Sequence, residues 1–432
     1  MIFPKTAVTI VVAMLLFLSA PPGLAEPSQR PTLDLEYDAL NGLDQALHDL
    51  VDTQQTGNLT YGIWQQGALI REGYFGPVNP SNDSTVTDDT IFSIQSMTKA
   101  ITAVGILILT ERGAIDLEDP ITDILPEFED VEVIADIGAD GEMFTFRPPR
   151  PPTIRQLLSH TAGVGNARPS NNPAETAMFR ANMLAARTID EFIGIATSVP
   201  YIAAPGAEWN YSVSSDLQGA IIERVGGQRL GTFLQEVLFD PLGMRDTRFF
   251  VYRKDTDRLS GVLQKNEMGR AFSISEGAHN SIQSQTYHEG GHGLYSTQAD
   301  YFRFLTFLLN QGRLEGRQIL KPETLESLSI NAIQYRGRPG AMASVGRRQG
   351  LGFGFGVGTI EDSVVSDMAA PEGAFYWYGA LGSWFWVDPH NQIIFIAMTQ
   401  TSSGMESDYI RESMRLVYGE PTPATTLYAD TN

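Results

Sequence analysis

No cysteine occurs among the 432 residues. That absence removes disulfides, thiolate zinc sites, thiol nucleophiles and a lipidated cysteine anchor together. The fold must therefore stand on buried apolar surface. The chain is long enough for that, as one large domain or as two lobes around a cleft. Lysine is also scarce, with five in the chain, at positions 5, 99, 254, 265 and 321. Basic residues number 30 against 51 acidic ones, a net charge of −21. This balance argues against nucleic acid or an anionic membrane surface as a partner and reads as a solubility feature. Repeats and low-complexity tracts are missing, and the 42% hydrophobic content is that of a globular protein.

Long apolar runs are missing too, beyond the first one. From Ala7 to Leu18 the chain is apolar, after Lys5 and before Pro21-Pro22-Gly23-Leu24-Ala25. A basic start, a short apolar stretch and small residues at the end read as a signal peptide over residues 1–25. A retained anchor is the alternative, but the run falls short of the roughly 20 residues a spanning helix needs. The expected location is thus periplasmic or secreted, with no membrane contact after leader removal. Loss of Lys5 leaves 29 basic residues against 51 acidic ones.

Residues 59–75 carry β-branched and aromatic residues on either side of Gln65-Gln66-Gly67, which predicts a β-hairpin. Ser96 to Arg112 is apolar nearly all round and stops at Gly113, which predicts a helix buried on most sides. From about 120 to 280 the pattern is helical, broken by proline and glycine as in FRPPRPP at 146–152. Strand signals return after Gly293, a helix is predicted over 298–310, and residues 351–400 read as adjacent strands. The sheet is thus expected to draw on both ends of the chain. A further helix is predicted near 405–418, with a loose tail over 421–432.

Ser96 and Lys99 form an S-x-x-K pair at the start of the buried helix, where a spacing of three puts both side chains on one face. A serine hydroxyl needs a base, and a lysine serves as one only where burial and nearby positive charge make it shed its proton. Taken alone the pair also fits a helix N-cap serine beside a solvated lysine. The scarcity of lysine and the lack of other charge around Lys99 favour the chemical reading. Tyr211, in Trp209-Asn210-Tyr211-Ser212-Val213, lies on a loop entering a helix. A phenol bonded to a lysine could carry a proton between serine and leaving group, whereas a packed tyrosine would do nothing.

His288-Glu289-Gly290-Gly291-His292 matches the H-E-x-x-H zinc signature, which works only if a helix aligns both histidines. Two central glycines and a third at Gly293 make a helix there unfavourable, so no metal ligand is assigned. No G-x-S-x-G elbow is present either, which disfavours a Ser-His-Asp site.

With Ser96, Lys99 and Tyr211 stand TIRQLLSHTAGV at 153–164, PLGMRDTRF at 241–249, GGHGLYST at 290–297 and the glycine-aromatic run at 350–358. In this order the set resembles the serine β-lactamase-like family, which holds class C β-lactamases, D-amino peptidases and carboxylesterases. Two departures point to its esterase branch. Val213 stands where class C β-lactamases have an amide-binding asparagine, and Trp377-Tyr378-Gly379 replaces the Lys/His-Thr/Ser-Gly strand. An anion-binding side chain there has become aromatic.

The resemblance implies an α/β fold, an antiparallel sheet flanked by helices, with a mostly helical lobe. The α/β part would come from about 26–119 and 281–420, the lobe from about 120–280. It implies Ser96 as nucleophile, Lys99 and Tyr211 as proton carriers, and the backbone N–H groups of Ser96 and Ala380 as oxyanion hole. Val213, Trp377, Tyr378 and Gly379 would line the substrate, a small-molecule carboxylic ester with a short or medium acyl group, and no cofactor is required. The alternatives are β-lactam or D-amino peptide hydrolysis, acyl transfer at the same site, or a penicillin-binding-like protein without turnover.

Overall fold

The computed structural model describes residues 33–266, 269–273, 287–333, 349–402 and 407–421. The expected leader, most of the segment 331–350 and the tail beyond 421 lie outside the described residues. Among the described residues no helix is long and apolar enough to cross a membrane.

The predicted hairpin forms from β1 (Leu59–Gln65) and β2 (Ala68–Phe75). Gln66 and Gly67 between them both take positive φ, 52° and 79°, which a tight two-residue hairpin turn demands. The remaining strands of the main sheet are β3 (Leu351–Phe353), β4 (Gly358–Ile360), β5 (Phe375–Tyr378), β6 (Gly382–Asp388) and β7 (Ile393–Gln400). They assemble in the order β3-β4-β5-β6-β7-β1-β2, every pair antiparallel. The early and late parts of the chain meet between β1 and β7, where Tyr61 stands opposite Ala397 and Ile63 opposite Phe395.

Helices cover both faces of this sheet. Tyr61 donates to Asp44 of α1 (Asn41–Asp52), and the Trp384 indole donates to Ser413 of α6 (Ser407–Tyr418). On the opposite face Trp64 stacks on Phe302, and Phe385 meets Tyr301, both of α5 (Gln298–Leu309). Covered on both sides, β7 buries all eight of its residues. Phe395 there stacks on Trp386 at 3.9 Å between ring centroids, and truncating it to alanine should cost about 3–5 kcal/mol.

The buried helix α2 (Thr98–Glu111) begins two residues after Ser96, which itself lies in a short 3₁₀ turn, Gln95–Met97. Thr98 to Leu109 are all buried, as the apolar pattern requires. Against α2 packs α4 (Ser214–Gly226), and α3 (Ile154–Leu158) packs in turn on α4. A capping box between Thr153 and Gln156 starts α3, and Gly227 in the left-handed region ends α4.

The stretch from 120 to 280 differs from its helical expectation at two hairpins, Val133–Ile137 with Met143–Phe146, and Val262–Asn266 with Gly269–Ser273. The first is rich in β-branched and aromatic residues on either side of a turn with Gly141 at φ 87°, a local preference that outweighs the helical pattern around it. It is tied to the lobe through Tyr201, which accepts from Ile134 N–H at 3.0 Å and donates its own N–H to Glu132 at 2.8 Å.

Candidate active site

Ser96 is half-buried at the mouth of α2, and Lys99 is 4% exposed one turn on. Regular helical spacing brings the Lys99 Nζ to 3.4 Å from the Ser96 Oγ. The stronger bond of Lys99 runs to the Gly291 carbonyl at 2.6 Å. Its Nζ also sits 4.8 Å from the centroid of the Tyr211 ring. The three candidate residues therefore meet, with one difference from expectation. Lys99 faces the Tyr211 ring rather than its hydroxyl, because the Gly291 carbonyl supplies the nearer acceptor.

The residue before Ser96 is in an uncommon conformation. Gln95 has φ 49°, a left-handed geometry that costs a residue with a Cβ about 1–2 kcal/mol. Its side chain donates to Ser93 Oγ at 2.7 Å, and β5 presses on the same turn. A Cβ placed on Gly379 would lie 2.6 Å from the Ile94 carbonyl oxygen, so only glycine lets the strand end approach the nucleophile turn this closely. Ala380 follows on the surface, and its N–H makes no hydrogen bond among the described residues.

The HEGGH segment is a turn and not a helix, and its histidines serve different partners. His288 Nδ1 accepts from the Gly231 N–H at 3.0 Å, and its ring stacks on Phe249 at 4.6 Å. Burial, with the Arg229 charge adding, pulls His288 down to about 4. His292 lies 3.3 Å from Glu289, whose carboxyl is pushed up by burial. The glycine pair lets the turn thread between α2 and α4. A Cβ on Gly290 would fall 2.4 Å from the Ser215 carbonyl oxygen, and one on Gly291 2.7 Å from the Asp216 carboxylate.

That turn is fixed from several sides. Thr102 donates to the Gly290 carbonyl at 2.7 Å, and Thr98 Oγ1 accepts from Leu294 N–H at 3.2 Å. The buried Asp216 carboxylate accepts from Gly291 N–H at 3.1 Å and from the Tyr287 hydroxyl at 3.3 Å. Burial and the neighbouring Asp216 charge hold that phenol well above its ordinary value. Sequence reasoning gave no role to Asp216 or Gly291. The signal available was the glycine pair, which a metal motif does not need.

Tyr211 is half-buried among rings, 4.9 Å from His160 and 5.6 Å from Trp377. Trp377 and Val213 are each 3% exposed. Trp377 stands between Tyr211, Phe353 at 5.1 Å and Tyr378 at 5.2 Å, so its ring backs Tyr211. Val213 is the residue preceding α4 and donates its N–H to the Gly165 carbonyl at 3.4 Å. The more open aromatic at this edge is the half-buried Tyr378.

The family model described as Beta-lactamase matches residues 43–418. Esterase EstB of Burkholderia gladioli is 28% identical over 360 residues, 79% of this chain and 85% of its own. Lovastatin esterase of Penicillium rubens is 28% identical over 347 residues, 75% of this chain and 83% of its own. Among solved structures, EstCE1, titled a hydrolase with promiscuous acyltransferase activity, superposes with a TM-score of 0.74. It is 24% identical and covers 89% of this chain and 99% of its own, a likeness that speaks for the fold. The chain thus belongs to the β-lactamase family, in which its relatives include esterases and acyltransferases.

Proposed function

We propose that this chain is a serine carboxylesterase that forms an acyl-enzyme on Ser96. The observation that carries the reading is the meeting of three groups: Lys99 Nζ 3.4 Å from Ser96 Oγ and 4.8 Å from the Tyr211 ring centroid. Among the described residues, the hydrogen bond of the Ser96 hydroxyl is the one with Lys99.

Lys99 accepts the Ser96 proton as Oγ attacks the ester carbonyl carbon, and the carbonyl π electrons move onto its oxygen. The N–H groups of Ser96 and Ala380 hold that oxyanion. Its collapse breaks the bond to the leaving alkoxide, which takes a proton through Tyr211 from Lys99. Water, deprotonated by the same pair, then attacks the acyl carbon and frees the acid and Ser96. A Lys–Ser separation of 3.4 Å is loose for proton transfer, as is common before substrate binds.

An ester is favoured over a β-lactam by side chains, since Val213 carries no polar group for an amide and the buried Trp377 carries no positive charge for a carboxylate. A site lacking such partners loses several kcal/mol of discrimination for a polar substrate. On p-nitrophenyl butyrate and a chromogenic cephalosporin, kcat/KM for the ester should be greater by ~1,000-fold or more. Comparable efficiencies would overturn the ester assignment and leave the acyl-enzyme chemistry standing. Export to the periplasm or beyond is proposed from residues 1–25, and N-terminal sequencing of secreted protein starting near Glu26 tests it.

A further inference from the structure

Four consecutive residues around Tyr211 are each bonded to one short segment, residues 160–166. The Asn210 N–H donates to the His160 carbonyl at 2.8 Å, and the Ser212 N–H donates to His160 Nδ1 at 3.1 Å. Asn166 Nδ2 donates to the Tyr211 carbonyl at 3.3 Å, and Val213 N–H to Gly165 at 3.4 Å. His160 alone thus grips both neighbours of Tyr211, once through its backbone and once through its side chain.

The residue is unusually placed for this. It is 1% exposed, and its backbone is in the left-handed region at φ 55°. That turn of the chain lets the carbonyl and the imidazole of one residue point at the same loop. Because Nδ1 accepts an N–H, the ring proton must sit on Nε2, and Nε2 is buried without a hydrogen-bond partner among the described residues. Burial, and the Lys99 charge after it, hold the ring well below its ordinary pKa and hence neutral. A buried, unsatisfied donor in a left-handed residue is unfavourable twice over. Simple packing would be served better by a leucine or phenylalanine.

We propose that His160 is a positioning residue of the acylation step, whose Nδ1 and carbonyl oxygen fix the Tyr211 loop so that the phenol stays within reach of Lys99 and Ser96. This rests on the role given to Tyr211 above. His160 touches no reacting atom itself, and its ring and that of Tyr211 meet at a tilt of 34°, 4.9 Å apart at the centroids.

Asparagine and glutamine separate this role from bulk packing. An asparagine in place of His160 would keep an acceptor near the Nδ1 position and tolerate positive φ, whereas a glutamine oxygen reaches the Nε2 position instead. The test measures kcat and KM on p-nitrophenyl butyrate for His160→Asn, His160→Gln, Tyr211→Phe and His160→Gln with Tyr211→Phe, each checked by circular dichroism. His160→Gln should lower kcat by about 100-fold, the scale of a 1 Å misplacement, with KM changed less than ~3-fold. His160→Asn should restore kcat to within ~5-fold of wild type, and the double variant should be no slower than Tyr211→Phe within ~3-fold.

A His160→Gln enzyme with wild-type kcat, or a double variant whose losses multiply, would overturn the proposal. If His160→Gln does not fold, His160→Asn decides: folded but as slow as Tyr211→Phe, it overturns the proposal as well. Failure of the underlying reading looks different, because Tyr211→Phe itself would then turn over at the wild-type rate.

Discussion

The two sides of the candidate site are built by different means. On one side Ser96 and Lys99 share a single continuous element, the 3₁₀ turn and α2, and their 3.4 Å approach follows from helical spacing. On the other, Tyr211 sits on a loop with no regular structure of its own, held by bonds to residues 160–166. The helical side owes its precision to burial of Thr98 to Leu109 and would survive most local changes. The loop side owes its precision to a few hydrogen bonds, each removable by one substitution. A proton relay across such a pair is only as well aligned as its looser half.

Removing the chemistry on either side gives the largest effect. Lys99→Ala and Tyr211→Phe should each lower the single-turnover acylation rate by at least ~100-fold while leaving substrate binding nearly unchanged. Were Tyr211→Phe harmless and Lys99→Ala severe, the two sides would not be partners in one relay.

Next in size is the support behind Tyr211. Trp377→Ala opens a hole beside Tyr211 and Phe353 and should destabilise the fold by about 3–5 kcal/mol in denaturant titration. Rates on acetate, butyrate and octanoate esters should fall together. A changed chain-length preference with unchanged stability would mean that this ring meets substrate directly.

The smallest effect is on stability against pH, through His288. In the folded chain its pKa is about 4, against an unfolded value of 6.5. Neutral His288 therefore contributes stability that is present above pH 6.5 and lost as pH falls towards 4, since only the unfolded chain takes up the proton. Wild type should lose about 2 kcal/mol more than His288→Phe between pH 7 and pH 4.5. A constant difference between the two would contradict this burial account.

The same contrast explains what the sequence disclosed. The hairpin at 59–75, helices α2, α4 and α5, and the sheet drawn from both chain ends were legible because apolar periodicity and glycine stops reflect local geometry. Ser96 and Lys99 were legible for that reason, being three residues apart on one helix. His160, Asp216 and Gly291 were not. His160 lies 51 residues before Tyr211, and the bonds joining them are set by the path of two loops. The hairpin at 133–146 was hidden by helical spacing on either side of it. The HEGGH segment shows the reverse hazard, a motif that matches a metal signature while its glycines serve close passage between α2 and α4.

The central claim is that Ser96 carries the acyl group. Intact-protein and peptide mass spectrometry after a fluorophosphonate, or after a slowly deacylating ester, tests it most directly. The account predicts one adduct per chain, on the peptide containing Ser96, absent in a folded Ser96→Ala variant that also lacks ester turnover. An adduct on another serine, or undiminished turnover by Ser96→Ala, would contradict it.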